Sequence, residues 1–154
     1  MNLGIDFHDT LSYSPKFFRK LASNWCGKIY IVTGTPASYR DDVANDLELL
    51  GFSGLYEDIL MGYEYDKKDM STDHFKKMRE HKLKLIKGYD IQVYFDDNPY
   101  YAHWMKDNGV LTFMLCIDQE YMDRFAKADP FFTCHLQGKV FDFLKHLENK
   151  DVVR

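Results

Sequence analysis

Several scarcities in this sequence exclude whole classes of protein. Its three cysteines, Cys26, Cys116 and Cys134, are widely separated and form no C-x-x-C pair. Neither a disulfide framework nor a zinc knuckle is therefore expected. Pro/Gly/Ser-rich linkers, low-complexity tracts and internal repeats are lacking, so residues 1–154 read as a single domain. No apolar run approaches the roughly 20 residues of a membrane span. The N-terminus also lacks the basic, apolar and small-residue succession of a secretion signal, so no membrane association is expected and the expected setting is cytoplasmic. A basic excess is missing too: 20 Lys and Arg against 24 Asp and Glu leave a net charge of −4. That argues against nonspecific nucleic-acid binding, which relies on dense positive charge, but not against a small anion held by a metal and a few local amides. No G-x-x-x-x-G-K-[ST] loop, dinucleotide glycine fingerprint or G-x-S-x-G elbow occurs, which argues against an NTPase, a dehydrogenase and a serine hydrolase.

What is present is enough apolar material for a core, with 45% hydrophobic and 16% aromatic residues. A domain of this length buries roughly 70% of its unfolded surface. The pattern along the chain alternates. A short apolar run, Leu3-Gly4-Ile5, ends at Asp6. A helix-like stretch over 15–25 follows, and then Lys28-Ile29-Tyr30-Ile31-Val32 reads as a β-branched strand ending at Thr33-Gly34. Thr35-Pro36 looks like an N-cap with proline at the first helical position, and that helix stops at Gly51. A third strand is expected over 58–62, and a long helix from Ser71-Thr72 to Gly88. A fourth strand over 91–95 ends at Asp96-Asp97. A helix over 100–107, a fifth strand over 110–115 and a terminal helix over 140–147 complete the pattern. Strands alternating with helices imply an α/β fold, a mainly parallel five-stranded sheet covered on both faces. Ligands of such sheets sit beyond the carboxyl ends of the strands, where Asp6, Thr33 and Asp96 all fall.

Each of these positions has a chemical reading and a plain one. Asp6, with Thr10 four residues on, suits a nucleophile surrounded by backbone amides and a metal; Asp also favours turns and caps. Thr33 with Gly34 suits a phosphate oxygen, or simply a helix-entry turn. Lys82 projects from the middle of an apolar arc made by Phe75, Met78, Leu83, Leu85 and Ile86, while Lys76, Lys77, Lys84 and Lys87 fall on the opposite face. Such a lysine either meets a buried anionic site or snorkels at the end of the core. Asp96 and Asp97 repel each other unless a cation is near, and with Asp6 they make an oxygen-rich site suited to Mg²⁺. The same Asp-Asp-Asn-Pro is also a turn sequence.

Together these residues resemble the haloacid dehalogenase-like (HAD) superfamily of phosphohydrolases over about residues 1–117. Asp6-Phe7-His8-Asp9-Thr10 approximates its D-x-D-x-T motif. Thr33 matches the strand-end Thr/Ser, Lys82 the motif-three lysine, and Asp96-Asp97 the acidic pair, all in the family's order. The resemblance implies a Rossmann-like three-layer α/β/α sandwich. It also implies that Asp6 attacks phosphorus to form an aspartyl-phosphate, and that Thr33, Gly34 and Lys82 hold the phosphoryl group. Mg²⁺ would be bound by Asp6, the His8 backbone carbonyl, Asp96 and Asp97. Phosphoryl transfer needs positioning and charge neutralisation above all, which agrees with such a site.

The sequence departs from the family at His8, where the second Asp of the first motif, the general acid and base, is usual. Shifting the register to make Asp9 the acid would spoil the Thr10 match, so Asp9 is not assigned that role; an imidazole could take it over, or simply fill the space and confine activity to good leaving groups. There is room for no separate cap domain, so the site is expected to be open, suiting a large substrate or a partner subunit that completes the pocket. Some of Tyr63, Tyr65, Tyr100, Tyr101 and Trp104 could stack on a base or be ordinary core and surface aromatics. The segment 118–134 could fold over the site or pad the sheet edge. His74, His81, His103, His135 and His146 show no ligand spacing and read as structural or exposed. The expected function is a Mg²⁺-dependent phosphatase for a nucleotide or other small phosphomonoester. The rivals are a phosphatase for nucleic-acid ends or phosphoproteins, and a catalytically silent phosphate-binding or nucleotide-binding domain.

Overall fold

The computed structural model describes residues 1–116. The expected segment 118–134 and helix 140–147 lie outside the described residues. Short apolar runs form the strands β1 (Asn2–Asp6), β2 (Ile29–Pro36), β3 (Asp58–Gly62) and β4 (Ile91–Asp96), rich in β-branched and aromatic residues in β2 and β4, and β5 (Leu111–Met114) closes the series. They make one sheet in the order β3-β2-β1-β4-β5, and every pairing is parallel. Between them run α1 (Pro15–Ser23), α2 (Arg40–Leu49), α3 (Thr72–Gly88) and α4 (Pro99–Asp107). None of the described helices is long and apolar enough to cross a membrane.

Strand alternation divides the core in two. Ile29 and Ile31 of β2 pack with Leu3, Ile5, Ile59 and Met61 against Phe18 and Ala22 of α1 and Val43 and Leu47 of α2. Tyr30 and Val32 pack with Leu60 and Tyr94 against Ile86 of α3 and Met105 of α4. Helices therefore cover both faces, and the fold is a Rossmann-like three-layer α/β/α sandwich. The chain builds outward from β1 on one side through β2 and β3, then on the other through β4 and β5. β1 and β4 thus flank the topological switch point, and their carboxyl ends, Asp6 and Asp96, face the crevice where such sheets bind ligands.

The expected helix start at Thr35-Pro36 is wrong. The regular ladder of β2 ends at Val32, opposite Asp6 on one side and Leu60 on the other, but the chain stays extended and Pro36 rejoins the register opposite Gly62. Pro36 has ψ of 146°, which is extended; a 3₁₀ turn over 37–39 follows, and α2 begins only at Arg40. A Cβ on Gly62 would collide with the Gly34 carbonyl oxygen, so this close return of strand to strand depends on glycine. Smaller differences lie at element ends. α1 stops at Ser23 rather than residue 25, and α4 starts at Pro99, one residue early, because Asn98 accepts from the Tyr100 N–H as its cap. β5 is shorter than 110–115 by a residue at each end. α3 runs as expected from a Ser71 cap to Gly88.

Candidate active site

The turn after β1 places the first groups. Phe7–Leu11 is a single tight turn interrupted at His8 (φ −70°, ψ 132°) and at Asp9, whose φ of 58° lies in the left-handed region that Asp tolerates. The Ser12 hydroxyl accepts from the Asp9 N–H at 3.0 Å, and the Ser12 N–H donates to the Phe7 carbonyl at 3.0 Å. This folds Thr10 back beneath the strand end. Its hydroxyl lies 3.2 Å from Asp6 Oδ2 and 3.0 Å from Asp97 Oδ1, tying the ends of β1 and β4 together.

Lys82 reaches the same point from α3. The buried stripe of that helix is His74, Met78, Lys82 and Ile86, four residues apart, while Lys76, Lys77, Lys84 and Lys87 are exposed. Lys82 is 2% exposed, and its Nζ donates to Asp6 Oδ1 at 2.7 Å and Asp96 Oδ2 at 3.3 Å. It also lies 3.3 Å from the Tyr94 hydroxyl and 4.6 Å from the centre of the Tyr101 ring. Tyr94 donates its own proton to Asp96 Oδ2 at 2.6 Å. The Tyr94 ring has space because Gly4 lies beside it on β1: a Cβ there would sit 3.0 Å from Tyr94 Cδ2 and 3.1 Å from Ile91 Cγ2. The other Asp96 oxygen accepts from the Asn98 N–H at 2.8 Å.

Charge in this cluster is unbalanced. One ammonium faces Asp6, Asp96 and Asp97, whose oxygens can come within 4.8 Å of one another. Burial works against the charged form of Lys82, but Asp6 and then Asp96 outweigh it and hold the ammonium charged. Burial pushes the Asp6 carboxyl up; Lys82 opposes this, and Asp96 and Asp97 add to it. Asp97 is pushed up to about 7, by burial first and then by Asp96. Asp9 rises to about 7 through burial and the nearby Asp6. His8 falls to about 3 through burial and then Lys82, so its imidazole is neutral at pH 7. Three carboxylates with a single lysine are a donor set with charge to spare for a divalent cation, and hard oxygen ligands with buried partners suit Mg²⁺. The residues present therefore fit that ion.

These groups line a cavity of about 150 Å³ at the carboxyl end of the sheet, together with Gly34 and Thr35. Asp6, Lys82, Asp96 and Asp97 come into mutual contact or near it, and His8 and Gly34 share the cavity wall. Thr33 does not line it. It is fully buried, and its hydroxyl lies 2.9 Å from that of Thr35 and 3.4 Å from His8 Nδ1, while accepting from the Thr35 N–H at 3.1 Å. The continued extension of β2 keeps Thr33 and Thr35 on one face, with Thr33 set behind Thr35 and His8, which line the cavity. Sequence reading set Asp9 aside as the acid and passed over Tyr94. Tyr94 stands two residues before Asp96 on one strand, hence on the same face, and that spacing was its one available signal. His74, read as structural or exposed, is buried in the cavity wall; it sits two turns before Lys82 on the same stripe.

Asp6, Lys82 and Asp96-Asp97, on which the family resemblance was read, lie together at the carboxyl ends of the strands. No family model matches the chain, and no curated protein does. Among solved structures it is similar to the NMR structure of the core domain of a provisionally assigned phosphoglycolate phosphatase from Streptococcus pneumoniae. The two share 14% identity over 81% of this chain and 94% of that one, with a TM-score of 0.47. A likeness that distant speaks of neither substrate nor chemistry. Chemically, the site offers a carboxylate and an ammonium fixed at a cavity with a cation-ready acidic cluster.

Proposed function

We propose that this chain is a Mg²⁺-dependent phosphatase that hydrolyses a phosphomonoester through an aspartyl-phosphate on Asp6. The observation that carries this reading is the buried Lys82, held between Asp6 and Asp96 at the cavity. A lysine costs too much to bury there without an anionic task. In this reading an Asp6 oxygen attacks phosphorus as the bond to the leaving oxygen breaks, and Lys82 offsets the phosphoryl charge. Thr35 and the Gly34 backbone line the same cavity and are the groups placed to orient the phosphoryl oxygens. Asp6, Asp96, Asp97 and the His8 carbonyl would hold Mg²⁺, which neutralises charge on the transferring group when bound.

One group at the cavity can move a proton and another can orient water. The Asp9 carboxyl, held up to about 7, is suited to give a proton to the leaving oxygen and, once ionised, to take one from the water that hydrolyses the phosphoenzyme; His8, lowered to about 3 and so too weak a base for that, is suited to hold the water by a hydrogen bond. Phosphoenzyme hydrolysis is common to all substrates, whereas leaving-group protonation matters most for poor leaving groups. Asp9→Asn is thus expected to lower kcat/KM on an alkyl phosphate by roughly 100-fold or more, with a much smaller loss on an aryl phosphate. His8→Ala should slow both alike at saturation. A leaving-group dependence confined to His8→Ala would reverse the two roles.

The function itself is tested by phosphate release across nucleotides, sugar phosphates and phosphorylated oligonucleotide ends with Mg²⁺. Release is expected to vanish with Asp6→Asn and in excess EDTA. Release that survives either would overturn the mechanism.

A further inference from the structure

Resting on the phosphatase reading for the phosphate end of the ligand, we propose that the site is built for a mononucleotide. Its base would be recognised by a series of rings running from Tyr65 through His74 and Phe75 to Tyr101. The cavity has two unlike sides. The charged groups around Asp6 and Lys82 form one; Tyr65, Met70, His74, Phe75, Met78 and Tyr101 form the other.

The ring side is held in place rather than merely exposed. The Tyr65 hydroxyl donates to the Gly34 carbonyl at 3.1 Å, fastening the loop after β3 to the very stretch of β2 that borders the phosphoryl side. Tyr63 fixes His74 in the same way: its hydroxyl lies 2.8 Å from Nδ1 and 3.2 Å from the His74 carbonyl oxygen. Ring centres then follow one another at 4.2 Å from Tyr65 to His74, 5.4 Å from His74 to Phe75 and 6.5 Å from Phe75 to Tyr101. Tyr101 is also the ring against which Lys82 lies. A phosphate at Lys82 therefore leaves the rest of its ester to extend along the rings.

The chemistry of that side decides the class of leaving group. On the ring side the Tyr65 hydroxyl and the His74 Nδ1 are already engaged, so they are not left for a run of hydroxyls beyond those of one ribose. A flat π system needs only faces, edges and polarizable thioethers, which Phe75, Tyr101, Met70 and Met78 supply. A volume of about 150 Å³ holds the phosphoryl group and the start of its ester, and a base stacked at the open margin needs no full enclosure.

The test compares adenosine 5′-monophosphate with ribose 5-phosphate, which share the phosphate and the leaving oxygen and differ in the base. Equilibrium binding is measured on the full chain with Mg²⁺, alongside kcat/KM. The nucleotide is expected to bind at least about tenfold more tightly, the range of one base stacked on an aromatic side chain. Phe75→Leu and Tyr65→Leu should each bring that ratio toward one, while Tyr65→Phe, which keeps the ring, retains it. Equal binding of the two ligands by the wild type, or a ratio that neither leucine variant moves, overturns the proposal. Nucleotide preference in binding without any Asp6-dependent phosphate release upholds it while overturning the phosphatase reading. Asp6-dependent release with no base preference does the reverse.

Discussion

Lys82 and Asp46 show how differently two buried charges can be situated. Lys82 has two carboxylates and a tyrosine hydroxyl within 3.3 Å. Removing it leaves Asp6 and Asp96 buried without their cation, which costs about 3–5 kcal/mol when one partner of a buried pair is deleted. Lys82→Met is therefore expected to lose about that much in urea unfolding at pH 8 with EDTA present; an unchanged midpoint would show that the lysine does not hold the cluster. Asp46 is 1% exposed on α2, its Oδ1 has no hydrogen-bond partner, and Asp42 lies one turn earlier. Burial, then Asp42, pushes it up to about 7. The native state consequently binds this proton more tightly than the unfolded chain does, so its penalty is absent below about pH 4 and grows as pH rises through about 7. Asp46→Asn should stabilise the protein at pH 8 by about 1–2 kcal/mol and make no difference at pH 4. Thermal unfolding of the two proteins across that range checks it, and a constant difference would contradict it.

Two element contacts hold the site in register. Tyr94 reaches Lys82 and Asp96 because β1 carries glycine opposite its ring, and β2 can return to β3 at Pro36 because β3 ends in glycine. Gly4→Ala forces the fully buried Tyr94 ring to shift in a packed core, at a cost of about 1–3 kcal/mol. The same shift should move the tyrosine hydroxyl off Asp96, so activity falls beyond what the stability loss explains; full activity per folded molecule would break that link. Both elements were visible in outline from their β-branched runs. The strand-to-helix join at 33–37 was not, because Thr-Pro is a good helix entry locally. Its extension depends on a partner strand 26 positions further on, where Pro36 pairs with Gly62.

For the whole molecule, a cation held by the acidic cluster at the switch point would couple its binding to folding. A ligand bound only by the native state stabilises it by about 2.7 kcal/mol at 100 times its Kd. Mg²⁺ is thus expected to raise the unfolding temperature of the wild type, and the rise should be lost in Asp96→Asn. An equal rise in both would place the ion elsewhere. The resemblance read from the sequence already contained this site in outline, since Asp6, Lys82 and Asp96-Asp97 lie in one order along an alternating chain. Thr35, Tyr94 and His74 were missed because each is placed by packing between elements that no local pattern records.

By itself, then, the sequence determined the alternation of strands and helices, the lysine on an apolar stripe and the carboxylates at two strand ends. These are local matters of periodicity and side-chain chemistry. Only the tertiary structure decided that β2 stays extended and brings Thr35 to the cavity in front of Thr33, that neutral His8 shares it with a raised Asp9, and that an aromatic series lines it beside the charged groups. Those outcomes depend on packing and desolvation, which arise only when segments far apart in the chain exclude water from one another.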